Sequence, residues 1–554
     1  MPGLDDRGIR VSAARAASMS IAEQYEYWAD EARRHTVTRR WLLRSAALAG
    51  GGIAVSPLLR SGRAYAAGTD PVGRHLAFGA DPARQMRVAW QTSTAPANPY
   101  LRLGTSASDL SQVVAVDTRE LLTTASTSGP ATQYYSHAAL DGLAPDTTYY
   151  YVVGDAAYDG TAGTPRSFRT APDRLARTPF TFTAIGDQGV SGNAGSADAV
   201  IAAQHPAFHL VAGDICYADS VGMGLLVDAY DPKVWDSYFA QVEPIAGSVP
   251  WMVASGNHDM EAQYAPHGYG GHAARLDLPA NGAAGCPTTY SFGYGNVAVV
   301  SLDANDVSYE IAANRGYSAG TQVAWLDATL GAFRNDPAVD WIVCFFHHCA
   351  YCTSTSHGSE GGVREAFVPL FDKHRVDLVL NGHNHLYERT DPMRAGVPTM
   401  AAPVGGTVSP EADGTTYVCV GAGGKSLYAF PSDGPSSYEG EVHDSPGVST
   451  YYNDSSGQVD ETVTWSRVRY PNYSVLAVDV VPAAAGETTT LTLRAISAVG
   501  GKPEIDRLTL ARTAGAGPAA VVPELGIPAL LPVAGLLAAA GVAGWARHRS
   551  AART

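Results

Sequence analysis

Five short apolar segments in the middle of the chain each end in side chains that could bind metals or move protons. The segments are residues 180–185, 208–212, 250–254, 341–346 and 376–380. The polar residues that follow them are, in order, Gly186-Asp187, Gly213-Asp214, Gly256-Asn257-His258-Asp259, His347 and Gly382-His383. Helical patterns at 196–204, 321–333 and 362–374 lie between them, and strand–helix alternation indicates an α/β domain. Because α/β proteins build sites at the carboxyl ends of their strands, we expect these polar residues to meet.

The candidate site combines carboxylate, amide oxygen, imidazole and phenolate donors. The candidate metal ligands are Asp187, Asp214, Tyr217, Asn257, His347, His383 and His385. This set suits iron, manganese or zinc and does not suit copper(I). Seven donors are too many for one tetrahedral ion, but they suit two ions that share a bridging carboxylate. Two such ions, about 3.5–4 Å apart, can clamp the attacking and leaving oxygens of a displacement at phosphorus.

The same residues carry a family resemblance. The motifs Asp187-x-Gly189, Gly213-Asp214-x-x-Tyr217, Gly256-Asn257-His258-Asp259, His347 and Gly382-His383-x-His385 resemble those of the purple acid phosphatases, which are calcineurin-like metallophosphoesterases. The resemblance covers about residues 72–510, including the amino-terminal segment Tyr149-Tyr-Tyr-Val-Val-Gly. Tyr217 is its most informative residue, since most relatives outside the purple group lack a tyrosine ligand.

The resemblance implies how the two metals are bound and used. The first ion, usually Fe(III), would have the ligands Asp187, Tyr217 and His385. The second ion, Fe(II), Zn(II) or Mn(II), would have the ligands Asn257, His347 and His383. Asp214 would bridge both ions, and a metal-bound hydroxide would attack the phosphate ester.

Two further histidines are candidate catalytic residues. His258 resembles the family's histidine that contacts phosphate and stabilises its developing charge. His357 is the candidate general acid near the leaving group, although a solvated loop histidine is the alternative. The fourth motif departs from the family pattern, because it reads Cys344-Phe-Phe-His347 and is followed by His348, which stays an alternative ligand. His267 and His272 line the substrate entrance or lie in an ordinary loop.

The cysteines are secondary to this site. Cys349 and Cys352 flank the loop before His357, and a disulfide between them in an oxidising compartment would stiffen it. The alternative is a Cys-x-x-Cys redox or zinc motif, for which the sequence offers no partners. Cys216 lies inside the turn from Asp214 to Tyr217 and is expected to be buried beside the site without binding metal.

The pattern of strands and loops predicts two folded domains. Residues 72–172 alternate as an all-β segment and predict a fibronectin type III-like sandwich. Residues 177–511 predict the metallophosphoesterase domain, in which helices flank a mixed β-sandwich core. Within it, residues 401–416 and 431–462 lack periodicity and are expected to be long loops, whereas residues 473–511 return to strands.

The two ends of the chain carry export and membrane signals. Residues 1–67 predict a signal region in which Arg39-Arg40 precedes an apolar stretch, as in the Tat pathway, with a Sec signal or an uncleaved anchor as alternatives. Residues 512–524 form a linker, residues 525–545 predict a transmembrane helix, and residues 546–554 form a basic cytoplasmic tail. A buried core helix is the alternative for residues 525–545. We therefore expect an enzyme exported by the Tat machinery that faces outward from the cell membrane, or is secreted if the anchor is removed.

Charge and composition narrow the function further. The 554 residues carry a net charge of −15, which excludes nucleic acid as an expected partner. The sequence predicts an acid phosphatase that hydrolyses phosphate monoesters. Two alternatives stay open: a metallophosphodiesterase acting on nucleotides or phospholipids, and a cell-surface binding protein whose metal site is inert.

Overall fold

The computed structural model describes residues 70–431, 440–441 and 447–515. The predicted signal region 1–67 and the predicted transmembrane segment 525–545 lie outside these residues. Among the helices of the described part, none is both long enough and apolar enough to cross a membrane.

The amino-terminal domain is the predicted β-sandwich. Its strands are β1 (Val72–Phe78), β2 (Met86–Thr92), β3 (Tyr100–Gly104), β4 (Gln112–Val114), β5 (Asp117–Thr123), β6 (Ala131–Leu140), β7 (Thr148–Gly154) and β8 (Arg166–Arg169). They form two antiparallel sheets, in the orders β1-β2-β6-β5 and β4-β3-β7-β8. Trp90 and Leu140 from one sheet and Leu101 and Tyr151 from the other belong to one buried cluster. The alternation of apolar and polar residues places one face of each sheet in this core.

The second domain contains a seven-stranded mixed sheet. Its strands are β9 (Phe180–Ile185), β10 (His209–Ala212), β11 (Trp251–Ala254), β20 (Gly406–Val408), β26 (Ser474–Val481), β27 (Thr488–Ser497) and β28 (Glu504–Thr513). Their order is β11-β10-β9-β26-β27-β28-β20. Strands β9, β10 and β11 are parallel, so their carboxyl ends lie along the same edge.

An eight-stranded mixed sheet faces it. Its strands are β12 (Tyr290–Tyr294), β13 (Val297–Ser301), β14 (Trp341–Phe346), β16 (Leu378–Asn381), β17 (Tyr387–Thr390), β21 (Thr416–Val420), β22 (Gly440–Glu441) and β25 (Ser466–Tyr470). Their order is β12-β13-β14-β16-β21-β17-β25-β22, with β14 and β16 parallel. Phe182 and Leu210 share a buried cluster with Val343 and Leu378, so the two sheets enclose one core. This is the predicted mixed β-sandwich.

Helices flank the two sheets. They are α1 (Gly192–Ala203), α2 (Lys233–Ala246), α3 (Gly270–Arg275), α4 (Thr321–Asn335), α5 (Gly361–Ala366), α6 (Val368–His374) and α7 (Pro410–Asp413). The hydroxyl of Ser191 caps α1 by accepting a hydrogen bond from the backbone N–H of Ala194. The helix expected over 362–374 is instead two helices, α5 and α6. Pro369 offers no N–H for a continuous helix, and it occupies the first turn of α6, where none is needed.

The expected long loops are partly wrong. Residues 401–416 contain β20 and α7, and residues 431–462 contain a hairpin of β23 (Val448–Asp454) and β24 (Gly457–Val463). This hairpin pairs with β15 (Ser359–Glu360), while β18 (Met393–Arg394) pairs with β19 (Val397–Pro398). Both strands of the hairpin are half exposed and polar, which is why their sequence lacks the apolar alternation of a core strand.

Candidate metal centre

The five apolar segments are strands of both large sheets, and the polar residues that follow them meet where the two sheets face each other. Asp187 and Asp214 follow β9 and β10, and Asn257 begins a short 3-10 helix after β11. His347 directly follows β14, and His383 follows β16. Glycine permits this convergence, because a Cβ atom on Gly186 would lie 2.9 Å from the Cα atom of Gly382.

Three of the predicted ligands form one half of the centre. The Tyr217 hydroxyl donates to Asp187 Oδ1 at 3.0 Å and lies 3.0 Å from His385 Nε2. His385 Nε2 is 3.3 Å from the same carboxylate oxygen. The other ring nitrogen, Nδ1, donates to the carbonyl of Ser426 at 2.6 Å, so Nε2 faces the centre.

Three other predicted ligands form the second half. His347 Nε2 lies 3.0 Å from Asn257 Oδ1 and 3.1 Å from His383 Nδ1. The Asn257 side chain is oriented by its amide, which donates to the carbonyl of Gly222 at 3.0 Å. All three side chains are therefore aimed at a common point.

Asp214 lies where the two halves meet. Its Oδ1 is 3.3 Å from His347 Nε2. Ligand atoms of Asp187, Asp214 and His347 all lie within 4.8 Å of one another. Asp259, which is buried, accepts hydrogen bonds from the backbone N–H groups of Asp214 and Ile215 at 2.9 and 3.1 Å. The geometry fits a carboxylate that bridges two ions.

The hydrogen bonds around His347 require a positive charge. Its Nδ1 donates to the carbonyl of Ala212 at 2.9 Å, so Nε2 of a neutral ring carries a lone pair. That lone pair faces two more acceptors, the oxygens of Asp214 and Asn257. Although burial opposes protonation, the carboxylates of Asp214 and Asp187 raise the pKa of His347 to about 10. A proton or a metal cation at this point satisfies the acceptors, so the donor set fits a metal.

The surroundings of Tyr217 also indicate a cation at the centre. Burial and the carboxylate of Asp187 raise the pKa of the Tyr217 hydroxyl well above its usual value, so a phenolate here needs a cation beside it. Lys425 Nζ lies only 4.4 Å from the centre of the ring, and its backbone N–H donates to the carbonyl of Asp187.

The backbone is strained where the ligands are held. Asp187, Asp214, Tyr217 and His383 have positive φ angles of 57°, 51°, 62° and 68°. Residues other than glycine are uncommon in this region, and such conformations cluster at functional sites where the surrounding fold enforces them.

His258 lies beside both halves. Its Nδ1 donates to the carbonyl of Asp219 at 2.7 Å, and its Nε2 lies 3.8 Å from Asp214 Oδ2. The ring is 4.4 Å from that of Tyr217, between centroids. Desolvation by burial lowers the pKa of His258.

His357 also reaches the site, together with a residue that the sequence did not reveal. Its Nδ1 lies 2.5 Å from Glu310 Oε1, and its Nε2 lies 3.1 Å from the hydroxyl of Tyr428. The other oxygen of Glu310 is 3.2 Å from His383 Nε2, so one carboxylate connects His357 to a predicted ligand. Burial alone would raise the pKa of Glu310, but His357 and His383 hold this pKa well below its usual range. Glu310 stands in a loop with no strand-end motif, so its sequence gave no signal.

The other histidines lie differently. His348 is buried against His383, with ring centroids 4.3 Å apart, and neither of its ring nitrogens has a hydrogen-bond partner. The acceptors Asp214 and Asn257 face His347, so the geometry favours His347 as the ligand. His272 Nδ1 lies 3.5 Å from the Ser255 hydroxyl, and the ring of His267 lies tilted beside that of Tyr317, 4.6 Å away between centroids.

The cysteines are all free thiols. Cys349 and Cys352 do not form a disulfide, and Cys419 lies beside them as a third buried thiol. Cys349 and Cys419 donate to the backbone carbonyls of Gly382 and Asn384, each at 3.1 Å. These hydrogen bonds support the loop that carries His383 and His385. Cys216 is buried in an apolar cluster, as expected.

Two family models match the chain. Residues 71–170 match the amino-terminal domain of purple acid phosphatases, and residues 180–387 match the calcineurin-like phosphoesterases. The chain belongs to the purple acid phosphatase family. The second matched segment contains all seven predicted metal ligands, together with His258 and His357.

Several relatives of this purple acid phosphatase are similar over long stretches. An uncharacterized protein of Mycobacterium tuberculosis is 34% identical, over 81% of this chain and 88% of its own. Purple acid phosphatase 23 of Arabidopsis thaliana is 30% identical, over 46% of this chain and 57% of its own. The purple acid phosphatase PPD1 of yellow lupin has the same fold, with a TM-score of 0.61 and 20% identity. The match covers 84% of this chain and 78% of the lupin chain. Family membership implies a metal-dependent phosphatase with a binuclear centre.

Proposed function

We propose that this purple acid phosphatase hydrolyses phosphate monoesters with two metal ions bound by the seven predicted donors. The observation that carries the proposal is the contact of Tyr217 with both Asp187 and His385, facing the cluster of Asn257 and His347. The first site would hold Fe(III), and the second would hold Fe(II), Zn(II) or Mn(II). Bound metals would supply Lewis acidity and an activated water, with an optimum on the acid side of neutrality.

Asp214 and His258 would have separate roles in binding the metals and the phosphoryl group. Asp214 would hold the two ions together, because its carboxylate lies between the two halves. His258 is oriented by the carbonyl of Asp219, and its Nε2 would neutralise charge on the transferred phosphoryl group. That charge is common to all substrates, so this role does not depend on the alcohol.

His357 would serve as the general acid. Its ring is held between the Glu310 carboxylate and the Tyr428 hydroxyl and lies 4.2 Å from the ring of His383, between centroids. A proton on Nε2 could pass to the leaving oxygen, and Glu310 would stabilise the charged ring before transfer. Glu310 is therefore a positioning residue for His357.

Export and membrane attachment belong to the same proposal. The twin arginine Arg39-Arg40 favours Tat export, and the apolar segment 525–545 with its basic tail favours a membrane anchor. The enzyme would act outside the cytoplasm.

The test compares an aryl phosphate monoester with the matching diester, using protein whose metal content has been measured. We expect faster turnover of nitrophenyl phosphate than of bis(nitrophenyl) phosphate. Faster turnover of the diester would favour the phosphodiesterase. Metal-loaded protein with no turnover of either would favour a binding protein with an inert site.

A further inference from the structure

A loop at the edge of the centre exposes an unusual concentration of apolar side chains. We call residues 220–230 the apolar loop; its central part reads Val221-Gly-Met-Gly-Leu-Leu-Val227. Leu225, Leu226 and Val227 are 50%, 80% and 85% exposed. Thirteen large apolar residues are strongly exposed in the described part of the chain, and five of them lie in this loop. Such clustered exposure marks an interaction surface, whereas scattered exposed residues do not.

Hydrogen bonds hold the apolar loop in this conformation. Asp219 Oδ1 accepts from the backbone N–H groups of Val221 and Gly222, at 2.9 and 3.0 Å. Asp228 Oδ2 accepts from those of Met223 and Leu225, at 3.0 and 2.9 Å. The two carboxylates thus satisfy the backbone, and the apolar side chains stay outside. The exposure is a built feature of the fold.

The same loop contacts the metal centre. The carbonyl of Gly222 accepts the hydrogen bond that orients Asn257, and a Cβ atom on Gly222 would lie 2.7 Å from His258 Nε2. Val227 is only five residues further on, so it lies within about 18 Å of Gly222 along the chain. A molecule whose phosphate occupies the centre therefore has the apolar loop within reach.

We propose that the apolar loop inserts into a lipid surface and that the enzyme takes amphiphilic phosphate monoesters from it. The choice of substrate rests on the proposed function, whereas the insertion into lipid does not. The side chains of Leu226 and Val227 are mostly exposed, as insertion into the boundary of headgroups and acyl chains requires. Residues 221–227 are aliphatic or glycine, without the Trp, Tyr and Arg that dominate protein interfaces.

The charge of the protein specifies the kind of lipid contact. The net charge is −15, and residues 220–230 contain no lysine or arginine; the carboxylates of Asp219, just before the loop, and Asp228, within it, bind the loop's backbone. Attraction to anionic headgroups cannot drive the contact, so burial of apolar side chains must. Insertion should therefore occur on zwitterionic vesicles and change little with salt.

The first experiment reports insertion directly, in the full-length protein. Leu226→Trp is compared with Val113→Trp, an exposed position (59%) in the sandwich, after subtraction of wild-type fluorescence. On phosphatidylcholine vesicles with brominated acyl chains, we expect a blue shift and strong quenching only for Leu226→Trp. Equal quenching of the two reporters, or none, would overturn the proposal. The predicted segment 525–545 is present in both proteins, so it cannot produce the difference.

The second experiment measures the consequence for turnover. Leu226→Ser/Val227→Ser is compared with Val113→Ser/Leu122→Ser, whose side chains are also exposed. We expect the loop variant to lose roughly tenfold in kcat/KM on phosphatidic acid in phosphatidylcholine vesicles, and to keep its rate on soluble glycerol phosphate. Equal losses on both substrates, or no loss, would contradict docking by the loop. If no phosphate ester is hydrolysed but Leu226→Trp still inserts, the proposed function fails and the lipid contact stands.

Discussion

The carboxylate of Glu310 lies 2.5 Å from Nδ1 of His357 and fixes the orientation of that ring beside the metal centre. His258, in contrast, is oriented by a backbone carbonyl and lies against Asp214. The two histidines therefore have different surroundings, and different consequences are expected when each is removed.

We expect His357→Ala to slow alkyl phosphates much more than nitrophenyl phosphate, because a basic alkoxide needs a proton and nitrophenolate does not. His258→Ala should slow both substrates alike, since it acts on the phosphoryl group. The losses should be about 10²-fold or more for the affected substrates. The measurement is kcat/KM on both substrates, with metal content as the control. Glu310→Gln should show the substrate dependence of His357→Ala in weaker form. Equal losses on both substrates for His357→Ala would remove it as the general acid.

The backbone of Gly256 packs directly against the carboxylate of Asp214. A Cβ atom on Gly256 would lie 2.1 Å from Asp214 Oδ1, so Gly256→Ala must displace the bridging carboxylate. We expect loss of bound metal and a destabilised fold. Gly195→Ala is the matched control, because its Cβ would meet nothing within 4 Å inside α1, and it should stabilise by about 0.5–1 kcal/mol. Normal metal content in Gly256→Ala would show that the carboxylate is not where the structure places it.

Acid should destabilise the fold through buried histidines outside the centre. Burial lowers the pKa of His137, His209 and His272 to about 3, from 6.5. Below pH 6.5 the unfolded chain binds protons that the folded chain does not, so the free energy of unfolding falls as pH falls towards 3. Each histidine contributes a slope of about 1.4 kcal/mol per pH unit. His137→Gln, measured by denaturant unfolding across pH, should have the shallower slope. An unchanged slope would mean that His137 is protonated in the folded protein.

Export gives a prediction outside the described residues. Arg39→Lys combined with Arg40→Lys should block Tat transport and leave the precursor in the cytoplasm. Deletion of residues 525–554 should release active enzyme into the medium. Fractionation and activity assays measure both. A truncated enzyme that stays with the membrane would place the anchor elsewhere, for example in an uncleaved amino-terminal segment.

The strand-end residues could be predicted from the sequence because each motif is local. Asp187 and Asp214 follow buried apolar strands, and the parallel pairing of β9 and β10 brings them together. Glu310 and Lys425 could not be predicted, since loops bring them to the site from regions without periodicity. The apolar loop was missed for a related reason: the hydrogen bonds of Asp219 and Asp228, and not hydrophobicity, decide that its side chains face outward.

The hairpin of β23 and β24 was missed because its stability does not come from a core-facing apolar stripe. Its strands are polar and half exposed, and β15 supplies the pairing that a sequence pattern cannot show. The division of 362–374 into α5 and α6 was also missed. The helical periodicity of the sequence continues through Pro369, but the helix itself is interrupted just before this proline.

In the proposed centre the seven donors bind two metals, with Tyr217 as phenolate on Fe(III). Elemental analysis combined with the visible spectrum, on wild type and Tyr217→Phe, tests it most directly. We predict two metals per wild-type chain, one of them iron, and a purple charge-transfer band that disappears in Tyr217→Phe while the fold persists. A wild-type protein that holds two metals but is colourless would contradict Fe(III) at Tyr217, and one that binds fewer than two metals would contradict the binuclear centre.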